Sequence, residues 1–343
     1  MQKIQQEIDP EFSDLLARIK KHDFKIGLAL GSGSAKGMAH IGVIQTLNQY
    51  QIPIHLISGT SIGAVIGSVY ATGITADKVD HIISSLKRIK VLSFLDPTLP
   101  SSGLFSGSRF VKYLEDIALK DMDFSDLKIP FAAVATDIKT GAKVILNHGN
   151  VAMAVRASCS LPGIFAPVPY QEYFLVDGGL VDPVPVDIVR KMGADLVIAV
   201  NLTSENPKPK VLVSNQQTGE LNQVKDLINI KLYKEIKSKY KVVHHFDSVV
   251  SQEVTSLKNI VRTTAKKWEG PHIFEVISKS IDIMEKEITE HSIFDADIVI
   301  EPTQIEKIGL FEYHRAEKII ASGKEATRKM IPHIIKAIKI KLS

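Results

Sequence analysis

Lys25–Ile–Gly–Leu–Ala–Leu30, followed by Gly31–Ser–Gly–Ser–Ala–Lys–Gly37, is the stretch of sequence that decides the fold. A short apolar run that ends in a glycine-rich turn is typical of a buried strand in a parallel sheet. The next segment, Met38 to Tyr50, has apolar residues at helical spacing and is predicted to be a helix. The pattern then repeats, because a second short strand, Ile54 to Ile57, leads through Gly59 into another helix. Two such strand–turn–helix units predict right-handed crossovers and a parallel sheet covered by helices.

Further apolar runs predict the remaining strands of the sheet. They are Phe131–Thr136, Lys143–Leu146, Tyr173–Val176, Leu196–Val200 and Ile298–Ile300. An amphipathic helix is predicted before the first strand, over Asp9 to Lys20, and two helices are predicted near the end, over Tyr313 to Ser322 and Lys324 to Lys341. Together these elements predict an α/β fold of the three-layer α/β/α type with a mainly parallel central sheet.

The order of these segments also predicts how the chain is divided. We expect an N-terminal helical extension at residues 1–24, the main core at 25–200, a helical insertion or cover at 201–290, and a C-terminal strand and helices at 291–343 that complete the core. The insertion is predicted because prolines and then polar, lysine-rich segments follow Asn201 without any strand pattern.

Composition narrows the classes of function. The 343 residues are 45% hydrophobic and 23% charged, which is ordinary for a globular protein. Cys159 is the single cysteine, so internal disulfides and multi-cysteine metal sites are excluded, and we expect neither a metal nor another cofactor. Met1 to Lys25 has no apolar core, so we expect no secretory signal and a cytoplasmic location. The net charge of +4, from basic residues spread along the chain, argues against nucleic acid as a partner.

Two segments bear on contact with membranes. Gly59 to Ala76 is an uncharged stretch, but it is shorter than the ~20 apolar residues of a spanning helix and is rich in small residues, so we expect a buried helix. Lys225 to Lys241 contains six lysines with apolar residues between them. This pattern fits either peripheral contact with anionic lipid or a solvated helix that packs by one face. The oligomeric state has no signature in the sequence.

Gly59–Thr60–Ser61–Ile62–Gly63 lies between the second predicted strand and a helix rich in small residues. A serine on a sharp strand-to-helix turn is held in a strained conformation with its hydroxyl exposed, and flanking glycines avoid contacts that side chains would make. The helix N-terminus also favours developing negative charge. Serine is equally a common helix cap, so the pentapeptide alone leaves catalysis and capping open. The context of strand, helix and second glycine-rich loop favours Ser61 as a nucleophile.

The loop from Gly31 to Gly37 follows the first strand and opens the first helix. Its backbone N–H groups can converge on an anion, because glycines leave the approach open. A nucleotide-phosphate loop would need glycine before Lys36 and serine or threonine after it, and a dinucleotide loop would need glycine in place of that lysine. The oxyanion of an acyl-transfer reaction fits better. Oxyanion and substrate contacts are expected at Ser32, Gly33, Ser34 and Ile62.

Three aspartates are candidates for the proton acceptor. Asp177 directly follows the strand Tyr173–Val176 and precedes Gly178–Gly179, which leaves open space beside a carboxylate at a strand end. Asp-Gly is also a frequent turn, and Asp137 and Asp182 compete for the role. The histidines that follow these acids lie in polar segments without a glycine or strand setting. Among them are His244, His245, His272, His291 and His314.

Three elements, in this order, resemble the patatin-like phospholipase family: the loop Gly31–Gly37, the elbow Gly59–Gly63 and the triplet Asp177–Gly178–Gly179. The resemblance covers roughly Lys25 to Asn201 and extends thinly to Ala296–Pro302. It implies a patatin-like fold, hydrolysis of acyl lipids, a Ser–Asp dyad without histidine, and an oxyanion hole in the glycine-rich loop. Residue by residue, the resemblance implies Ser61 as the nucleophile, Asp177 as the general base and N–H groups around Gly33 as oxyanion donors.

The glycine-rich loop departs from the family pattern. Ser32 and Ser34 stand where the family often has glycine, and Lys36 replaces a frequent arginine. We expect a serine acyl hydrolase that cleaves fatty-acyl esters of phospholipids or lysophospholipids through an acyl-enzyme intermediate. Two alternatives stay open at this point. One is a lipid-binding scaffold with a degenerate site, and the other is an α/β-hydrolase with a Ser–Asp–His triad.

Overall fold

The computed structural model describes residues 10–84, 96, 105–203, 273–305, 308–309 and 312–343. The chain divides into two compact units, one of Met1–Glu205 with Phe274–Ser343 and the other of Asn206–Ile273. The first unit holds the sheet and the helices around it. The second unit, except for its last residue, lies outside the described residues, and so does the basic segment Lys225 to Lys241. The domain boundaries drawn from the sequence stay predictions.

Eight strands in the described residues form one sheet. They are β1 (Ile26–Leu30), β2 (Leu56–Thr60), β3 (Phe131–Asp137), β4 (Lys143–Leu146), β5 (Val168–Tyr170), β6 (Tyr173–Asp177), β7 (Leu196–Val200) and β8 (Ile298–Ile300). Their order is β5-β6-β3-β2-β1-β7-β8, with β4 paired to β3 outside this path. Parallel pairing joins β3, β2, β1, β7 and β8, whereas β4, β5 and β6 pair antiparallel. The mainly parallel sheet is confirmed, and the short β5 is a strand that the apolar pattern did not predict.

Helices cover both faces of this sheet. They are α1 (Pro10–Lys21), α2 (Met38–Gln49), α3 (Ile62–Ala71), α4 (Ala76–Ser84), α5 (Ser108–Leu114), α6 (Val151–Ser158), α7 (Val186–Lys191), α8 (Ile273–Ser292) and α9 (Ala316–Leu342). Shorter helical turns are Ser34–Gly37, Glu115–Leu119, Phe124–Asp126, Gly178–Leu180 and Tyr313–Arg315. None of the helices in the described ranges combines the length and hydrophobicity that crossing a membrane requires.

The side chains of β1 show how the three layers are built. Leu28 and Leu30 belong to the large apolar core that includes residues of α2, α3 and α9. Ala29 packs with Val186 and Val189 of α7 on the opposite face. Successive residues of a strand point to opposite faces, so a strand that is apolar on both sides needs helices on both. The predicted three-layer α/β/α fold is therefore confirmed.

The register of the central strands brings the candidate catalytic residues to one level of the sheet. Thr60 of β2 lies opposite Val134 of β3, so Ser61 follows at the level of Ala135. Ala135 in turn lies opposite Asp177 of the antiparallel strand β6. Ser61 and Asp177 therefore stand on either side of β3, where their side chains can approach each other above one strand.

The C-terminal helix differs from the prediction of two helices separated at Gly323. Helix α9 is continuous from Ala316 to Leu342. Gly323 ends no helix, because it is the position at which α9 crosses α2, and a side chain there would overlap the backbone carbonyl of Ala39. The contact is reciprocal, since a side chain at Gly42 of α2 would overlap the Ile320 carbonyl. The two glycines thus allow the two helix backbones to touch.

We expect Gly323→Ala to lower the free energy of unfolding by about 1–3 kcal/mol, because the added methyl group has no room at this crossing. Helix propensity alone would favour alanine by about 1 kcal/mol, so a net loss reports the helix contact. Urea unfolding followed by circular dichroism measures the effect. Glu325→Ala, at an exposed position of the same helix, is the control. A Gly323→Ala protein as stable as the parent would contradict the close packing of α2 and α9.

Candidate active site

Ser61 occupies the turn between β2 and α3 in a conformation that residues with a side chain rarely adopt. Its φ is +55° and its ψ is −121°. Such a conformation costs on the order of 1–3 kcal/mol and persists only where the surrounding structure imposes it. Ser61 is half-buried, whereas the neighbouring Thr60 and Ile62 are buried. The turn therefore presents a single accessible hydroxyl from a buried setting, as the elbow motif predicted.

The glycines on either side of this serine are required by contacts between chain segments. A side chain at Gly59 would overlap the backbone of Gly63, and a side chain at Gly63 would overlap the carbonyl of Leu30. Gly63 thereby lets the elbow rest on the end of β1, where the glycine-rich loop begins. Gly37 acts from the side of the loop, since a methyl group there would overlap the Ile62 side chain. The elbow and the loop are thus packed directly against each other.

Hydrogen bonds from buried side chains hold the elbow in place. The Ser61 N–H donates to Ser158 Oγ at 2.9 Å, and the Ser158 hydroxyl donates to the Val134 carbonyl at 2.6 Å. The Thr60 hydroxyl donates to the Asp182 carbonyl at 2.8 Å. These bonds connect the elbow to β3 and to the turn after β6. The strained serine is therefore supported by two neighbouring segments.

Asp177 ends β6 with a buried carboxyl group. Its Oδ1 accepts the N–H of Gly179 at 2.9 Å, and the nearby Ser61 side chain also favours the ionised carboxyl. Burial raises the pKa of Asp177 to about 6, although both of these partners lower it. Gly178 is required beside the carboxyl because a side chain there would overlap the Val134 carbonyl. At pH 7 the carboxylate is therefore ionised but poorly solvated, which suits it to accept a proton.

The two competing aspartates have other partners. Asp137 accepts a hydrogen bond from the Thr140 hydroxyl at 2.6 Å, which fixes the turn after β3. Asp182 forms an ion pair with Lys143 at 3.0 Å. Of the three candidates, Asp177 is the aspartate whose carboxyl interacts with the Ser61 side chain.

The glycine-rich loop offers backbone N–H groups beside the elbow. The N–H of Ser32 donates to the Pro183 carbonyl at 2.8 Å, so it is already used. Gly33 and Ser34 follow with φ of +146° and +49°, and their N–H groups bond to no carbonyl of the described residues. Ile62 begins α3, so its N–H has no acceptor within the helix. Gly33, Ser34 and Ile62 therefore leave three amides that can bind an anion.

A histidine that the sequence analysis did not select supports this loop. His40 of α2 is fully buried, and its Nε2–H donates to the Gly31 carbonyl at 2.8 Å. Burial lowers the pKa of His40 to about 4, so the ring is neutral at pH 7. The sequence signal that could have identified His40 is its position one helical turn after Gly37, at the end of the glycine-rich loop. Of the histidines considered for a triad, His291 and His314 are exposed, and the other three lie outside the described residues.

Glu285 of α8 is the second residue that the sequence analysis missed. Its side chain is buried, and the nearby charge of Asp177 acts on it. A side chain at Gly179 would overlap the Glu285 Oε1 atom, so the second glycine of the triplet makes room for this carboxyl. The sequence carries no signal for this contact, because Glu285 is one of several acids on an amphipathic helix far from the motifs.

Comparisons with known proteins connect this geometry to a family. The family model described as patatin-like phospholipase matches residues 28–190. An uncharacterized NTE family protein of Mycobacterium bovis is 31% identical over 324 residues, which cover 88% of this chain and 89% of that protein. Patatin-like phospholipase domain-containing protein 6 of Mus musculus is 32% identical over 226 residues, which cover 62% of this chain and 16% of that protein.

Among solved structures, VipD from Legionella pneumophila matches with a TM-score of 0.42 and 14% identity, covering 90% of this chain and 67% of that one. The matches to the family model and to the mycobacterial relative carry the assignment, because the latter extends over nearly the whole of both sequences. This chain is a member of the patatin-like phospholipase family.

Proposed function

We propose that this chain is a serine acyl hydrolase that cleaves fatty-acyl esters of phospholipids or lysophospholipids. The observation that carries the proposal is the meeting of Ser61, strained at its strand-to-helix turn, with the buried carboxyl of Asp177. Membership of the family supports hydrolysis of acyl lipids in general. The lipid class, the dyad and the oxyanion donors are parts of the proposal.

In the proposed first step, the Ser61 hydroxyl attacks the ester carbonyl and transfers its proton to the Asp177 carboxylate. The carbonyl oxygen becomes an oxyanion, which the amides of Gly33, Ser34 and Ile62 bind. Each preformed donor of this kind contributes roughly 10²–10³ in rate. Asp177 then returns the proton to the alcohol oxygen as the ester bond breaks, and the acyl group stays on the serine.

Water completes the cycle by the same proton route. Asp177 takes a proton from a water molecule that attacks the acyl-enzyme, and it returns this proton to Ser61 Oγ when the fatty acid leaves. A carboxylate is a weak base for serine, so its burial and its raised pKa support the role. We propose that this reaction occurs in the cytoplasm on lipid at or near membrane surfaces.

A fluorophosphonate probe tests the proposal directly. We expect the folded protein to be phosphonylated on Ser61, because the activated oxygen attacks phosphorus and displaces fluoride. Mass spectrometry of the peptide that contains Gly59–Gly63 locates the adduct, and heat-denatured protein is the control. A lipid-binding scaffold with a degenerate site would not react. Release of fatty acid from phosphatidylcholine and from lysophosphatidylcholine, measured in parallel, identifies the lipid class. Absence of both labelling and fatty-acid release would overturn the proposal.

A further inference from the structure

We propose that Glu285 is a positioning residue of this active site, where its buried carboxyl packs against the turn that holds Asp177, near the glycine-rich loop. The inference rests on the proposed function, because it concerns the same site. It extends that function to a helix, α8, that follows the matched family segment 28–190 in the chain.

The first contact of Glu285 is with the turn that holds the base. A methyl group placed on Gly179 would overlap Glu285 Oε1 and would lie 3.2 Å from Asp177 Oδ1. The two carboxyl groups therefore border the same small space beside Gly179. The N–H of Gly179 is also the donor to Asp177 at 2.9 Å. Glu285 thus packs on the peptide that orients the base.

The second contact is with the glycine-rich loop. The buried Ser32 side chain lies near the Glu285 carboxyl, and its hydroxyl forms no hydrogen bond within the described residues. The backbone N–H of Ser32 is fixed to the Pro183 carbonyl at 2.8 Å, and the next two residues are Gly33 and Ser34. A shift of Glu285 would therefore move the amides proposed to bind the oxyanion.

The charges around Glu285 favour its protonated form. Burial is the largest cause and raises the pKa of Glu285 to about 8. The carboxylates of Asp177 and Asp282 act in the same direction, whereas Lys36 and the Ser32 side chain favour the charged form. Two adjacent buried carboxyl groups ionise at well-separated pH values, because the second charge is repelled by the first. Between about pH 6 and pH 8, Asp177 is therefore ionised and Glu285 is protonated.

Loss of the proton from Glu285 is expected to stop catalysis. A second negative charge would repel the Asp177 carboxylate and would lie beside the loop where the oxyanion forms. The competent enzyme therefore needs Asp177 without its proton and Glu285 with it. The rate should fall below about pH 6, where Asp177 becomes protonated, and above about pH 8, where Glu285 loses its proton.

The pH dependence of kcat/KM for a p-nitrophenyl fatty-acyl ester tests this inference, with the buffer rate subtracted from pH 5 to 9.5. For the parent protein we expect a fall of about ten-fold per pH unit outside the window from pH 6 to pH 8. Glu285→Gln keeps the shape of the neutral acid. We therefore expect it to retain the fall in rate below pH 6, the acid limb, and to lose the fall in rate above pH 8, the alkaline limb. At pH 9.5 it should be at least about ten-fold faster than the parent. Glu287→Gln, at an exposed position of α8, should follow the parent.

Two results would overturn the inference on Glu285. One is an alkaline limb in Glu285→Gln identical to that of the parent. The other is a parent rate that stays flat from pH 8 to 9.5, which decides the matter even if the variant does not fold. Both leave the acid limb and the fluorophosphonate label on Ser61 intact, so they are distinct from failure of the proposed function. A parent protein with neither turnover nor label at any pH would overturn both.

Discussion

Ser61→Ala is expected to lower kcat/KM for a fatty-acyl ester by about 10,000-fold or more. Removal of the nucleophile ends acyl-enzyme formation, and the substitution of single members of such a catalytic group has effects of this order in other serine hydrolases. The measurement is initial-rate hydrolysis at pH 7.5, where Asp177 is ionised and Glu285 is protonated. Alanine also carries a Cβ atom, so the substitution leaves the backbone strain at φ +55° unchanged, and we expect the local fold to be kept.

The matched control is Ser68→Ala, in helix α3, which follows Ser61, and on a buried serine whose hydroxyl donates to the Val65 carbonyl. This variant loses a hydroxyl of the same size but should keep its rate within about three-fold, because the group lies within the helix and outside the proposed chemistry. Full esterase activity in Ser61→Ala would refute the assignment of the nucleophile.

Asp177→Asn is expected to lower kcat/KM by about 10³-fold, because an amide cannot accept the serine proton. Its effect on stability should have the opposite sign. The folded-state pKa of Asp177 is raised from its ordinary 3.8 to about 6, so stability falls as the pH rises between these values, and the full cost of the buried carboxylate is present above about pH 6. The asparagine keeps an acceptor for the Gly179 N–H without this charge. At pH 8 its melting temperature should therefore equal or exceed that of the parent.

Asp137→Asn is the control, since this aspartate also lies at the end of a strand. Its pKa is lowered, first by the hydrogen bond from the Thr140 hydroxyl, so its charged form stabilises the fold above the ordinary pKa. The variant should lose stability at pH 8 and keep its rate within about three-fold. Equal losses of rate in Asp177→Asn and Asp137→Asn would mean that the two variants report folding damage and not the removal of a base.

Local patterns in the sequence were sufficient for the centre of the fold. The apolar runs that predicted β1, β2 and β7 are buried on both faces, so their composition reflects their position directly. The elbow and the loop were predictable for a similar reason. Their glycines are required by close contacts between chain segments, so the glycine in the sequence itself indicates where each contact lies.

Other features depend on partners that are distant in the sequence. Gly323 was interpreted as a break between helices, but its role is set by Ala39, which lies near the other end of the chain. Ser32 was expected to contact the oxyanion or the substrate, but its N–H donates to the Pro183 carbonyl. Glu285 could not be selected, since a buried acid and an exposed acid look alike on an amphipathic helix. In each case the missing information is a contact between distant segments.

The position of β1 inside the sheet has a consequence for the protein during its synthesis. One neighbour of β1 is β2, which is made soon after it, but the other is β7, and α9 contacts α2 through Ile320 and Gly323, which are made much later. Contacts across such long stretches of chain form slowly. Ser61 also leaves the ribosome well before Asp177 and Glu285, because it precedes them in the sequence. We expect a nascent chain to be inert towards cellular lipids until β7 and α9 have been made and pack beside β1 and α2.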